Sequence, residues 1–105
     1  MRDVESAANL LWKTPTVMAR FEDTGVVSRE TAEDLGLVGP AARACGIDRD
    51  VRSDFPSGIY RWFQIPVFTH ETGDVFARAF VRWLEIRQSA EFVRAQLAAL
   101  PEGPA

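Results

Sequence analysis

Cys45 and His70 are the only cysteine and the only histidine in this 105-residue chain. A thiol and an imidazole can act as nucleophile and base if they meet in the fold, but nothing in their spacing indicates that they do. One thiol cannot form a disulfide within the chain or supply a four-thiolate zinc or iron–sulfur site. We therefore interpret Cys45 as a small buried hydrophobic residue. His70 is interpreted as a solvated turn residue, which with Glu71 could join a metal site only if another chain completed it. No catalytic residue and no metal site are predicted here.

Charged side chains of alternating sign follow the thiol in the stretch "GPAARACGIDRDVR", residues 39–52. Arg43 and Arg52, beside Asp48 and Asp50, suit buried or half-buried ion pairs that pin a loop against a helix. The neighbouring "VGPAARACG" lacks the glycine pattern and the lysine of a phosphate-binding loop. The chemistry expected of this stretch is therefore structural.

The composition restricts the class of protein. The length predicts one small domain, residues 1–105, and the 47% apolar share argues against disorder. A net charge of −3 argues against a nucleic-acid partner, which usually selects a basic face. No apolar run reaches the length of a membrane span, and the charged N-terminus does not resemble a signal peptide, so a cytoplasmic location is expected.

The elements that would position these residues are mainly helical. The sequence predicts a helix over residues 3–13 ended by Pro15, a helix over residues 29–35 capped by Ser28, and one helical turn over residues 41–45. Residues 17–21 suit either a strand or a helical turn. Residues 59–68, "IYRWFQIPVF", are rich in aromatic and β-branched residues and predict a strand, with Pro66 near an edge or a strand end.

A long helix over residues 74–100 gives the strongest pattern, because Asp74 can cap its start and no glycine or proline follows until Pro101. Phe76, Phe80 and Trp83 share a broad apolar stripe, whereas Val81 and Phe92 fall on the opposite side. Two interpretations stay open: a surface helix with buried arginine stems and isolated exposed apolar residues, or a helix that is central to a larger bundle and contacts protein on more than one side. The fold expected is mainly α with a small β element, the long helix packing on the shorter ones.

Several motifs, in order, resemble one protein family. "TGVVSRETAEDLGLVGPAARACGIDRDVRSDFP", then Tyr60, "GDVFARAFVRWLEIRQS" and "LPEGP" are similar to a middle-to-late segment of the large subunit of energy-converting [NiFe] hydrogenases and of its relative, the 49 kDa-type subunit of respiratory complex I. The resemblance covers roughly residues 24–105, and "GIDRDVR" resembles the hydrogenase branch more closely. Cys45 stands where the family usually has serine. The two Cys-x-x-Cys pairs that hold nickel and iron in the family are absent, and no counterparts of its quinone-pocket histidine and tyrosine are found.

The resemblance implies a scaffold segment of an oxidoreductase large subunit that is not catalytic alone. Its nickel–iron centre or quinone, and its iron–sulfur clusters, would belong to the full assembly. The implied partners are other subunits of a membrane-associated redox complex, notably an iron–sulfur subunit, and exposed apolar surface could support a homo-oligomer. Arg78, Arg82 and Glu85 lie on adjacent faces of the long helix, and Arg82 and Glu85 form an i, i+3 pair. A solvated face is the ordinary explanation of such residues, and the resemblance implies that in the whole subunit they could face that iron–sulfur subunit. The alternative is a free-standing interaction module derived from the family. The structural or interface candidates are Arg43, Asp50, Arg52, Asp74, Arg78, Arg82 and Glu85.

Overall fold

Helices joined by short loops make up the computed structural model, which describes residues 1–104. The α-helices are α1 Arg2–Lys13, α2 Pro15–Phe21, α3 Arg29–Asp34, α4 Gly39–Arg43, α5 Val51–Asp54 and α6 Val75–Ala98, with a 3₁₀ turn at Gly58–Arg61. No residue within 1–104 lies in a β-strand. The mainly α prediction is confirmed, and the predicted β element is wrong.

The expected strand over residues 59–68 is replaced by the 3₁₀ turn and an irregular segment. A strand exists only when its backbone groups pair with another strand, and the described residues contain none. Pro66 also lacks the N–H group that a ladder needs. The aromatic residues that suggested a strand pack on α6 instead: the Tyr60 ring stacks on Phe92 at 5.7 Å, and Phe63 meets Phe92 edge-on at 6.0 Å.

Short polar and glycine signals set the ends of the helices much as predicted. Ser28 caps α3 by accepting a hydrogen bond from the Thr31 N–H at 3.1 Å. After α3 the Leu37 N–H reaches back to the Ala32 carbonyl, with Gly36 at φ +65° between them. This is a Schellman ending, in which a left-handed glycine closes the last turn. Proline at the start of α2 settles the ambiguity over residues 17–21 in favour of a helix.

α6 contacts other parts of the chain on more than one side. Val81, predicted on its polar back, is fully buried, and α4 packs on this helix. The Trp12 ring of α1 lies edge-on to Phe76 and Phe80 at 6.0 and 6.1 Å. Contact on more than one side is therefore confirmed, because segments of the same chain cover several faces of the helix; a position central to a larger bundle stays a prediction.

The molecule is a thin plate with little core. It measures 52 × 35 × 16 Å, and its radius of gyration is 16.5 Å, against about 13 Å for a compact domain of this length. Val81 is the one large side chain within residues 1–104 that is fully buried. The remaining buried apolar residues are mostly alanines: Ala32, Ala42, Ala44, Cys45, Ile47 and Ala77. Such a plate leaves much of its apolar surface for other protein to cover.

Candidate functional site

Four charged side chains meet where α4, the loop before α5 and α6 converge. We call Arg43, Asp50, Arg52 and Glu85 the ionic junction. The Arg43 guanidinium donates to Glu85 Oε1 through Nε at 2.8 Å and through Nη2 at 2.6 Å. Its Nη1 donates to the Arg49 carbonyl at 2.9 Å and lies 3.7 Å from Asp50 Oδ2. One arginine thus ties α4 to the loop and to the long helix.

Asp50 and Arg52 form the second pair of the ionic junction. Nε and Nη2 of Arg52 reach the two carboxylate oxygens of Asp50 at 3.0 and 2.6 Å, a bidentate contact. The Asp50 carboxylate also accepts from the Arg52 N–H, which caps α5. The hydrogen bond from Arg52 lowers the pKa of Asp50, although burial opposes this, and the same bond raises the pKa of Arg52.

Asp50 and Arg52 of the ionic junction stay charged near neutral pH. The lowered pKa of Asp50 keeps that carboxylate ionised, and the raised pKa of Arg52 keeps the guanidinium protonated. General acid–base catalysis needs a group with a pKa near the working pH. The arrangement is suited to fastening three segments together.

Asp74 holds the start of α6 against an earlier part of the chain. One oxygen, Oδ1, accepts from the Ala77 N–H at 2.8 Å and from the Thr72 hydroxyl at 2.9 Å. The other, Oδ2, accepts from the Asp23 N–H at 3.0 Å. Burial raises the pKa of Asp74, but these hydrogen bonds outweigh burial and leave that pKa lowered.

Gly73 lies close to the backbone of two earlier segments. Its N–H donates to the Ala44 carbonyl at 2.9 Å, and its carbonyl accepts from the Val27 N–H at 2.9 Å. Gly73 has φ +63°, and a Cβ atom there would clash with the Val27 carbonyl oxygen. Arg78 adds bonds from Nη1 to the carbonyls of Gly25 and Gly73, at 3.1 and 2.8 Å. Arg78 therefore stabilises the loops around the helix start.

Arg82 differs from the other predicted residues. It is exposed, and its Nη1 donates to the Arg78 carbonyl at 3.1 Å. Glu85 pairs with Arg43 and not with Arg82, although Arg82 and Glu85 lie three residues apart. Within residues 1–104 Arg82 forms no ion pair, so its charge is free at the surface.

The structure does not join Cys45 to His70 as a catalytic pair. The Cys45 thiol bonds within its own turn, to the Ala41 carbonyl at 3.3 Å, and is buried as predicted. His70 is half-buried with its ring edge-on to Phe76 and Phe80, so the prediction of a solvated turn residue is wrong. No cluster of three or more histidine, cysteine, aspartate or glutamate side chains that could hold a metal lies within residues 1–104.

The sequence did not predict two contacts of these sites. The link between Glu85 and Arg43 crosses 42 residues, and only the fold reveals it. Thr72, whose hydroxyl donates to Asp74, could have been predicted from the local sequence. A hydroxyl two residues before a helix cap often hydrogen-bonds to the turn.

Open grooves border α6. The α5–α6 groove has a volume of about 1020 Å³, and all four residues of the ionic junction line it. The α1–α6 groove, about 590 Å³, is lined mainly by apolar side chains that include Leu11, Trp12 and Trp83. Arg82 and Ile86 line both grooves and form the wall between them. No helix within residues 1–104 is both long and apolar enough to cross a bilayer.

Comparison with known proteins gives one family. The whole chain, residues 1–105, matches the family described as "Respiratory-chain NADH dehydrogenase, 49 Kd subunit". A D-type subunit of the NADH-quinone oxidoreductase of Sinorhizobium medicae is 38% identical over 99% of this chain, and the D-type subunit of Ehrlichia canis is 42% identical over 91%. This chain spans about a quarter of each relative, 25% and 23% of their lengths.

A solved structure has the same fold. A chain of the membrane-bound sulfane sulfur reductase, described as an archaeal respiratory membrane complex, superposes with a TM-score of 0.86 at 29% identity. The match covers 98% of this chain and 28% of that chain. The similarity therefore extends to residues 1–23, beyond the part in which the motifs were found.

Proposed function

Because the chain belongs to the 49 kDa subunit family of respiratory-chain NADH dehydrogenases, we propose that it is a scaffold segment of the large subunit of an oxidoreductase. In this role it positions neighbouring protein and supplies no ligand to a nickel–iron centre, an iron–sulfur cluster or a quinone. The reaction, whether hydrogen turnover or electron transfer to quinone, belongs to the assembly.

The ionic junction is the observation that carries the proposal. Its two arginines and two carboxylates satisfy one another, and they link α4, α5 and α6. A catalytic site would need a group left free to meet a substrate, with its pKa tuned to the reaction. Paired buried charges instead fix one arrangement of the segments around them.

The donor atoms of this chain do not fit the metal groups found in the family. Four thiolates hold a cubane iron–sulfur cluster, and this chain has only the Cys45 thiol, which is buried in its own helical turn. The described residues contain no alternative cluster of ligands. We therefore derive no redox step from these residues.

The partners we propose are other subunits of a membrane-associated redox complex, with an iron–sulfur subunit facing α6. The relatives carry the names of subunits of NADH-quinone oxidoreductase, and a thin plate with exposed apolar residues needs covering protein. The proposed location is cytoplasmic, peripheral to the inner membrane. Without those subunits, the exposed apolar surface would drive self-association.

A chimera tests the scaffold role directly. The matched quarter of the Sinorhizobium medicae protein is replaced by residues 1–105, and assembly of the complex is followed on native gels together with quinone reduction. We expect assembly and activity to be retained, and both to be lost when the inserted segment carries Arg43→Met. Arg20→Met, which removes an exposed arginine outside the ionic junction, is the matched control and should behave as the parent chimera.

The purified chain provides the opposite test. We expect it to contain no stoichiometric nickel or iron by elemental analysis, and to show no hydrogen oxidation or quinone reduction. Stoichiometric metal or turnover by the chain alone would overturn the proposal.

A further inference from the structure

We propose that the loop before α6 contains a proton-operated switch made of His70, Thr72 and Asp74. Uptake of a proton by the imidazole replaces one hydrogen bond of this loop by another, and it ties the ring to the carboxylate that caps α6. The inference goes beyond the proposed scaffold function. It rests on the geometry of one hydroxyl group, which has a single hydrogen and two neighbours that could take it.

The Thr72 hydroxyl lies between the Asp74 carboxylate and the His70 ring. Its Oγ1 is 2.9 Å from Asp74 Oδ1 and 3.1 Å from His70 Nδ1. Because its pKa is lowered, the Asp74 carboxyl group is ionised near neutral pH and can only accept hydrogen bonds. A charged acceptor makes the stronger bond, so the hydroxyl donates to Asp74. The contact between Oγ1 and Nδ1 is then a hydrogen bond only if Nδ1 carries a hydrogen.

The backbone of Thr72 requires the opposite state of the same nitrogen. The Thr72 N–H points at His70 Nδ1 at 3.4 Å, and this contact is a hydrogen bond only if Nδ1 has a free lone pair. One nitrogen cannot satisfy both neighbours at once. The neutral ring with its hydrogen on Nε2 accepts from the Thr72 N–H, whereas the protonated ring donates from Nδ1 to the Thr72 hydroxyl. A histidine ordinarily changes its charge between about pH 5 and 8.

Charged groups of both signs surround the imidazole. Its own loop supplies Asp74, one hydroxyl away, and the exposed Glu71. α4 contributes the Arg43 carbonyl, which accepts from the His70 N–H at 2.9 Å, while the Arg43 guanidinium is engaged in the ionic junction. The Arg78 guanidinium bonds to a carbonyl of the same loop, and the two α6 rings that contact the imidazole are uncharged. A proton on the imidazole is thus linked through one hydroxyl to a carboxylate, in a loop that also bonds to α4.

The switch can be measured directly because His70 is the chain's only histidine. Long-range ¹H–¹⁵N correlation spectra of the full chain contain one imidazole, and they distinguish a hydrogen on Nδ1 from a hydrogen on Nε2. We expect hydrogen on Nε2 alone at about pH 8 and on both nitrogens at about pH 5. Over the same interval the Thr72 amide proton should shift upfield, because it loses its acceptor. The Ala77 amide proton shares Asp74 Oδ1 with the hydroxyl, so it should shift with the same midpoint.

Variants assign the response of the Ala77 amide to the hydroxyl. Thr72→Val removes the hydroxyl and keeps the size of the side chain, so the Ala77 amide should lose most of its response to the titration of His70. Thr72→Ser should restore that response. Thr69→Val, which removes an exposed hydroxyl next to His70, is the matched control and should leave the response unchanged. Circular dichroism checks that each variant keeps its helices.

The same spectra can overturn the inference. A neutral ring that already carries its hydrogen on Nδ1 would do so, because protonation would then change no hydrogen bond of Thr72. A ring that stays neutral at about pH 5, or a Thr72 amide that does not respond when the ring is protonated, would also contradict it. An Ala77 response that survives Thr72→Val would show that the hydroxyl does not connect the ring to the cap.

Discussion

The two halves of α6 are held in different ways. The first half, residues 75–85, contains the fully buried Ala77 and Val81, and it is tied down by Asp74 and by the ion pair between Glu85 and Arg43. The second half, residues 86–98, has Phe92 covered by Tyr60 and Phe63, while Val93 is 53% and Leu97 62% exposed. The chain thus fixes the first half with its own polar contacts and leaves much of the apolar surface of the second half exposed.

The two halves of α6 therefore differ in the kind of contact that each can make. Hydrogen bonds and ion pairs are directional contacts, and they fix how the first half of α6 sits against its neighbours. The apolar surface of the second half is less selective about geometry and can adapt to a covering protein. A scaffold, the role proposed for this chain, would need both properties. It needs a fixed structure where its own segments meet, and exposed apolar surface where it binds a partner.

Gly73→Ala should cause the largest loss of stability, because it disrupts the start of the first half of α6. The added methyl group would clash with the Val27 carbonyl oxygen, and the backbone at φ +63° favours glycine over alanine. We expect a loss of more than about 4 kcal/mol, the range of severe core lesions. Urea unfolding followed by circular dichroism measures it. Gly36→Ala, with the same left-handed backbone but open space around it, should cost only about 1 kcal/mol.

Arg43→Met should lower the stability of the chain by loosening the first half of α6, without introducing a clash. The buried Asp50 loses one of its cations, and Glu85 loses its partner. Removing one member of a buried pair costs about 3 to 5 kcal/mol, and we expect the lower end because Arg52 still neutralises Asp50. Denaturant midpoints measure the loss. If Arg43→Met with Glu85→Leu restored none of it, the ion pair would not be its cause.

Asp74→Asn should change how the stability of the first half of α6 depends on pH. The pKa of Asp74 in the folded chain lies below its ordinary value of 3.8, so as the pH falls the unfolded state binds the proton first. Its stabilisation is therefore complete above about pH 5 and is lost as the pH falls through the folded pKa. Asp74→Asn should cost about 1 kcal/mol at pH 7 and flatten the acid limb of stability against pH.

Leu97→Ser should have the smallest effect on folding, within about 0.5 kcal/mol, because the side chain is already exposed. Its effect should instead be on self-association, measured by sedimentation velocity, because it removes apolar surface from the uncovered half. A loss of several kcal/mol in unfolding free energy would mean that the chain covers this half itself.

Local signals predicted much of this fold, and long-range contacts account for the rest. Asp74 and Ser28 were identified as caps because a cap bonds within its own first turn. The partner of Glu85 could not be identified, since no local rule connects residues 42 positions apart. The strand over residues 59–68 failed for the same reason, because a strand depends on a neighbour elsewhere in the chain. The order of motifs did identify the family, which periodicity alone would not have done.

The distance along the chain between Arg43 and Glu85 matters on the ribosome. Translation adds about 5 to 20 residues per second, so about 2 to 8 s separate the synthesis of these 42 positions. Throughout that interval α4 is already made, yet the glutamate that neutralises its buried guanidinium does not exist. The ionic junction can therefore close only after the first half of α6 has been synthesised.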